Sequence, residues 1–321
     1  MKVEPILLID GLNFFTRHFV VNPTMSGQGH HVGGTVGMLK GLRLLSEKIG
    51  PKRIVVVWEG GGSPRRRAIY PNYKSGRRPQ KLNRFYEEIP DTFQNRDYQI
   101  ALTIEALNHV PIQQLYVADC EADDIIAYTA RYLFPEEKIV IVSSDKDLYQ
   151  LINNRVIQYS PGQKKLITTK DVREKFGVYP ENMTVVRCFT GDPSDGLEGV
   201  KGAGFKTMVK RFPQLSQKET VLVEDILSEA KEILPTTKVK VYKNIVEEMD
   251  IVRRNWKLMF LDTKNLSADQ IQKVRSSIES YEPSKNKMSL MRLLMRESVQ
   301  DFDVDSFYMS LSARNQVKND K

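Results

Sequence analysis

Only two of the 321 residues are cysteines, Cys120 and Cys188. That is too few for a disulfide scaffold, and a reducing cytoplasm is the expected compartment. Long apolar runs are also missing. Nothing approaches the ~20 apolar residues of a membrane span. The opening segment MKVEPILLIDGLNFF is broken by Asp10 too early for a signal peptide. Neither a membrane nor secretion is therefore expected. Histidine is scarce, and the one pair, His30-His31, reads as loop. There is no Walker signature, no nucleophile elbow and no internal repeat.

What is present is a globular balance, with 40% apolar and 27% charged residues. The length suits one large or two moderate domains. Lys plus Arg is 48 against 40 Asp plus Glu, a net charge of +8 with pI near 9.2. Such an excess points toward nucleic acid, though many basic proteins bind none.

Short apolar runs at 6–9, 54–58, 114–117 and 139–142 alternate with helix-like stretches at 35–48, 97–108 and 121–134. The alternation predicts an α/β fold with a mostly parallel sheet flanked by helices. After about residue 170 helical patterns dominate, at 182–188, 220–233, 239–261, 268–280 and 290–299. We therefore expect an α/β domain over 1–168 and a helical domain over 169–321, with polar and frayed final residues.

Acids follow the runs. The first ends in Asp10, the second in Glu59, and 139–142 leads into Ser143-Ser144-Asp145-Lys146-Asp147. Sites in open parallel sheets form beyond the carboxyl ends of strands, so one edge is expected to collect these carboxylates. Asp145 and Asp147, two apart, share a side if extended. The run 114–117 leads to Glu121, Asp123 and Asp124 at a helix start, where acids also suit the helix dipole. On a helix the three would span ~160°, with Asp124 in the middle. Asp192 and Asp195, in Thr190-Gly191-Asp192-Pro193-Ser194-Asp195-Gly196, taken alone read as turn and cap residues. Gathered in one cleft, these nine acids would demand a compensating cation. Hard divalent ions fit oxygen ligands, so Mg²⁺ or Mn²⁺ is expected and zinc is disfavoured. Two such metals in a basic protein suggest phosphodiester hydrolysis. Cys120, beside the acidic helix, is read as packing.

Residues 65–84, RRRAIYPNYKSGRRPQKLNR, hold eight basic residues and no acid. A charge run is commonly a solvated face, but this one starts just after Glu59 and a flexible glycine stretch. Arg65, Arg66, Arg67, Arg78, Lys81 and Arg84 are expected to steer phosphates, and Tyr73 to stack a base. Arg17 is counted with them. Lys74 and Arg77 are expected to act on the scissile phosphate. A second loop, with Gly199, Lys201, Gly202, Gly204, Lys206 and Thr207, has glycine spacing that lets backbone N–H groups approach a phosphate. Alone it could equally be a tight helix–helix turn.

LLIDGLNFF, VVVWEGGGSPRRR with YPNYKSGRRP, ADCEADDIIA, VSSDKDLYQL and FTGDPSDGLEGVKGAGFKT occur in this order over roughly residues 5–212. The combination resembles the flap endonuclease, or 5′-3′ exonuclease, family of bacteria and their phages, including phage ribonuclease H and the 5′-nuclease domain of bacterial DNA polymerase. The resemblance implies a PIN-like catalytic domain with a basic gateway at about 65–97. It also implies a helix-hairpin-helix-like element, a helix-three-turn-helix, at about 182–212. Asp10, Glu59, Glu121, Asp123, Asp124 and Asp145 match one metal site, and Asp147, Asp192 and Asp195 the second, with Asp145 near both. Lys74 and Arg77 match the gateway's basic pair. Residues 199–207 match the turn that grips duplex phosphates, often with K⁺. One departure stands out: the family usually has Asp, preceded by Phe, where this chain has Trp58-Glu59. The extra methylene carries the carboxylate about 1.5 Å further, so activity is expected to survive with an altered metal preference.

The expected function is a structure-specific 5′ nuclease that leaves 5′-phosphates at flaps, nicks or free 5′ ends of DNA. An RNA–DNA hybrid is a further expected substrate, as in primer removal. A monomer in the bacterial cytoplasm or a phage-infected host cell is expected, with a single-strand binding protein as a candidate partner. At 321 residues the chain has no room for the polymerase, so a stand-alone nuclease is expected. Two alternatives stay open: a PIN-like single-strand ribonuclease, and a non-catalytic binder of branched DNA. With the nine acids set aside, 31 acids face 48 bases, so the remainder carries +17.

Overall fold

A computed structural model describes residues 4–76, 93–300 and 302–312. Five runs form parallel strands: β1 (Ile6–Asp10), β2 (Arg53–Trp58), β3 (Gln113–Tyr116), β4 (Ile139–Val142) and β5 (Val156–Ser160). A sixth, β6 (Lys165–Ile167), runs antiparallel to β5. The order is β3-β2-β1-β4-β5-β6. The chain thus moves outward from β1 in both directions, and a crevice opens beyond the carboxyl ends at such a switch point. Asp10 pairs with Val57, and Ile9 with Val142. Asp10, Glu59 and Ser143 therefore leave the sheet within two residues of one level.

The strands are rich in Ile and Val, and successive side chains face opposite layers. Leu7, Ile9 and Val56 face one core, Ile6, Leu8 and Val55 the other. The connections are helical. Helices α1 (Gly11–Val21) and α2 (Gly33–Ile49) join β1 to β2, and α3 (Pro64–Ile69) and α4 (Phe93–Leu107) lie between β2 and β3. Helix α5 (Ala122–Tyr128) leads on through a π-helical turn, Thr129–Leu133, toward β4.

Beyond the sheet, α6 (Thr169–Phe176), α7 (Pro180–Thr190), α8 (Phe205–Arg211), α9 (Val223–Ile233), α10 (Lys240–Glu247) and α11 (Met249–Met259) contribute to a core containing Phe189, Met208, Phe212, Ile226, Ile245 and Val252. The next helices return to the sheet. Helix α12 (Ala268–Glu279) places Val274 and Ile278 against the Leu8 face. Helices α13 (Lys287–Arg296) and α14 (Val304–Ser312) place Leu290, Leu293, Leu294, Phe307 and Leu311 against the Leu7 face. Each such side chain contributes roughly 1.5–3 kcal/mol by leaving water. The expected division at residue 168 falls at the end of the sheet but cuts across this packing. The expected helix over 239–261 breaks at Glu248 into α10 and α11.

Candidate active site

The end of β1 is a cap as well as a site. Asp10 accepts from Asn13 N at 3.1 Å, starting α1, and from Ser143 Oγ at 3.0 Å. Burial pushes its carboxyl up to about 7; the Asn13 bond opposes this and Asp145 adds to it. Ser143, which the sequence did not single out, also accepts from Asp145 N at 3.1 Å, and Asp145 accepts from Asp147 N at 2.8 Å. Gln158 on β5 braces this loop by donating to the Ser143 and Asp145 carbonyls at 2.8 and 2.7 Å. Asp123 is raised well above the usual carboxylate range by burial, then by Asp145 and Asp10. These acids thus sense one another.

Glu59 leaves β2 in a bend that only glycine permits. A Cβ on Gly60 would lie 1.8 Å from the Val117 carbonyl. The Glu59 carboxylate accepts from Gly62 N at 3.1 Å and Ala122 N at 3.3 Å. Its extra reach therefore ends on two backbone amides. Burial raises its pKa, and Glu121 adds to that.

Carboxylate oxygens of Asp147, Asp192 and Asp195 all lie within 4.8 Å of one another. Arg187, from the last turn of α7, sits among them, 2.6 Å from Asp147 Oδ1 and 2.5 Å from Asp192 Oδ2. Burial pushes Asp147 up to about 7 against the pull of Arg187. Asp192 is also raised by burial, but bonds from Ser194 and the charge of Arg187 leave it below its usual value. Arg187 escaped the sequence reading; its signal is a cation on a helix five residues before Asp192.

Asp124 departs from expectation. The helix begins at Ala122, with Glu121 an extended cap outside it, so the two acids do not share a helical face. Asp124 is instead clamped by Arg66, at 2.5 Å to Oδ2 and 2.8 Å to Oδ1, and Oδ1 also accepts from Asn265 Nδ2 at 2.9 Å. Asp124, expected among the metal ligands, thus has both oxygens engaged by Arg66 and Asn265, and it shares Arg66 Nη1 with Glu121. Glu121 takes Lys74 Nζ at 2.8 Å, Tyr73 Oη at 3.2 Å and Arg66 Nη1 at 3.4 Å. Burial raises Glu121, but Lys74 and Arg66 outweigh it and lower the pKa overall.

The expected nucleic-acid contacts divide. Arg66 and Tyr73 are buried, 1% and 7% exposed, so both are corrected from surface contacts to supports of the acids. Lys74 has left-handed backbone, φ 59°, and its N–H donates to the Asp195 carbonyl at 2.9 Å. It therefore spans both acid groups. Arg67 is exposed, and exposed Arg65 donates to Asn265 Oδ1. Arg17 reaches the Gly162 turn near Ser144. Arg77, Arg78, Lys81 and Arg84 lie outside the described residues.

At the turn before α8, a Cβ on Gly199 would lie 2.2 Å from the Thr190 carbonyl, and Gly202 has φ 85°. Lys201, Gly202, Gly204 and Lys206 are exposed and Thr207 half-buried. Lys201 N donates to Glu248 Oε2 at 3.3 Å, and its carbonyl accepts from Asn244 at 2.8 Å. Buried Asn255 on α11 donates to the Cys188 and Glu198 carbonyls at 3.0 and 2.8 Å, fixing the turn's base. Cys120 is buried packing, as expected, and burial pushes its thiol up to about 12.

The donors at the sheet edge are all carboxylate oxygens, and Asp10, Asp123 and Asp147 are held uncomfortably as anions. Such a set fits hard divalent cations. No helix among the described residues is long and apolar enough to cross a membrane.

A family model described as 5′-3′ exonuclease, N-terminal resolvase-like domain, matches residues 5–177. The 5′-3′ exonuclease of Aquifex aeolicus is 31% identical over 222 residues, covering 68% of this chain and 73% of that protein. A thermostable DNA polymerase I from Thermus thermophilus is 33% identical over 219 residues, 68% of this chain but 25% of the polymerase. In fold, the chain resembles the bacteriophage T5 flap endonuclease, solved in complex with DNA and metal ions. That likeness has a TM-score of 0.68 at 20% identity, covering 85% of this chain and 98% of the other. The edge acids stand in a chain matched by that model over more than half its length, and the chain belongs to the 5′-3′ exonuclease family of nucleases.

Proposed function

We propose that the chain is a structure-specific 5′ nuclease. It hydrolyses phosphodiester bonds near the 5′ end of flap, nicked or RNA-primed duplexes, leaves 5′-phosphates, and serves primer removal or repair. The observation that carries this reading is the convergence of two acidic groups at one sheet edge. Asp10, Glu59, Asp123 and Asp145 form one, and Asp147, Asp192 and Asp195 the other. These residues would hold two Mg²⁺ or Mn²⁺ ions, with Glu121 beside the first. Bound there, the ions supply an activated water and offset the charge of the transferring phosphoryl group. The protein's own part is placement. Ser143 and Gln158 fix the Asp145 loop, and Lys74, drawn to Glu121 here, lies where an arriving phosphate would meet it. The turn at 199–207 is the proposed grip on duplex phosphates. The test is a cleavage assay on 5′-labelled flap, nicked duplex, RNA–DNA hybrid and single-stranded RNA, in Mg²⁺, Mn²⁺ or EDTA. Expected are short 5′ products from the duplex substrates, lost in EDTA and in Asp145→Ala. Preferential cutting of single-stranded RNA would favour a ribonuclease. Flap binding without cutting in either metal would mark a non-catalytic binder.

A further inference from the structure

Residues beyond the family match also reach the acidic edge. Helix α11 and the short turn after it, Thr263–Asn265, meet α3 and α5 at a small buried contact. The Leu258 carbonyl accepts from Arg66 Nε at 2.8 Å, and Arg254 lies 4.2 Å over the Tyr70 ring. Asn265 is the link among charges. Its Nδ2 donates to Asp124 Oδ1 and to the Phe260 carbonyl, each at 2.9 Å, while Oδ1 accepts from Arg65. Asp124 grips Arg66 on both oxygens, and Arg66 in turn touches Glu121 at 3.4 Å. Glu121 is the acid that holds Lys74 and Tyr73 and whose charge is felt by Glu59.

We propose that Asn265 is a positioning residue for the acidic edge. By holding Asp124 on Arg66, it sets where Glu121 and Lys74 stand relative to Glu59 and Asp123. The amide is suited to this because one end donates to a carboxylate while the other accepts from an arginine. A carboxylate at 265 would set two like charges together and pull Arg66 away from Glu121. The inference rests on the proposed metal site.

Asn265→Asp, Asn265→Ala and Asn265→Gln, with wild type and Asp145→Ala, supply the test. Mn²⁺ binding without DNA is measured by calorimetry, flap-DNA affinity in EDTA by anisotropy, and cleavage against Mn²⁺ concentration. Folding is checked by circular dichroism. Supporting groups of this kind typically change metal affinity by about tenfold when lost. Expected is weaker Mn²⁺ binding in Asn265→Asp by about that factor, a smaller loss in Asn265→Ala, partial recovery in Asn265→Gln, and unchanged flap affinity. Folded variants that bind Mn²⁺ as wild type does would overturn the inference. So would weakened flap affinity with intact Mn²⁺ binding, which would make the turn a DNA contact. Wild type that neither binds Mn²⁺ nor cuts would show instead that the underlying metal-site reading fails, and the inference with it.

Discussion

Glu59 occupies a position that its side-chain length alone makes informative. Its carboxylate ends on the amides of Gly62 and Ala122, contacts that Asp is too short to keep in the same backbone. Glu59→Asp is therefore expected to shift the ratio of Mg²⁺- to Mn²⁺-supported cleavage; identical metal profiles would remove the idea. Arg66 is the next residue to test. Its removal leaves Asp124 buried with one partner fewer, and losing one side of a buried pair costs about 3–5 kcal/mol. Urea melts of Arg66→Ala should show a loss of that order. Asp10 and Asp147 give a pH signature. Both are raised to about 7 in the fold, so the native protein holds more protons than the unfolded chain between about pH 4 and pH 7. This contribution is present on the acid side and lost as pH rises through 7. In EDTA the melting temperature should fall between about pH 5.5 and pH 8, and Mg²⁺ should restore more at the higher pH. A flat metal-free profile would count against the raised values.

At the scale of elements, strands that run apolar and stop at an acid were readable because burial and charge change at one residue. Asp10, Glu59 and Asp145 follow from that contrast. The side Asp124 faces was not readable, since Glu121 caps the helix from outside and a one-residue change in helix start turns a face by about 100°. β5 and β6 were missed for a related reason. β6 is a three-residue edge strand opening on Lys165, and β5, between β4 and β6, carries the polar Gln158, so no continuous apolar run marks either. Glycines in the loops mark where backbones nearly touch. Gly60→Ala sets a methyl against the Val117 carbonyl at 1.8 Å, and backbone cannot swing aside as a side chain does. Overpacking of this kind typically costs 1–3 kcal/mol. We expect a lower melting temperature together with impaired cleavage, because Glu59 and the Asp119 loop move with Gly60; retained activity at full stability would contradict the bend.

For the whole molecule, the net +8 conceals opposed fields, a scaffold rich in Lys and Arg around a concentrated acidic edge. Flap binding in EDTA should therefore weaken steeply with salt, by about 0.9 in the log–log slope for each phosphate neutralised. Cutting should appear only when a divalent ion is added. Binding insensitive to salt would refute the division. The domain boundary was harder to read than the charge. Helical periodicity after residue 170 says that helices follow, not which core they join, and α12, α13 and α14 close the sheet that the first half began.

Arg187 gives this arrangement a last consequence. Asp147 at the sheet edge and Asp192 in the loop after α7 are joined through one guanidinium. If Asp147 and Asp192 hold a divalent cation, as proposed, Arg187 would have to give up both carboxylates, so loading would be an exchange of cations. On that reading, the released guanidinium would be a cation near the acids, available to an incoming phosphodiester.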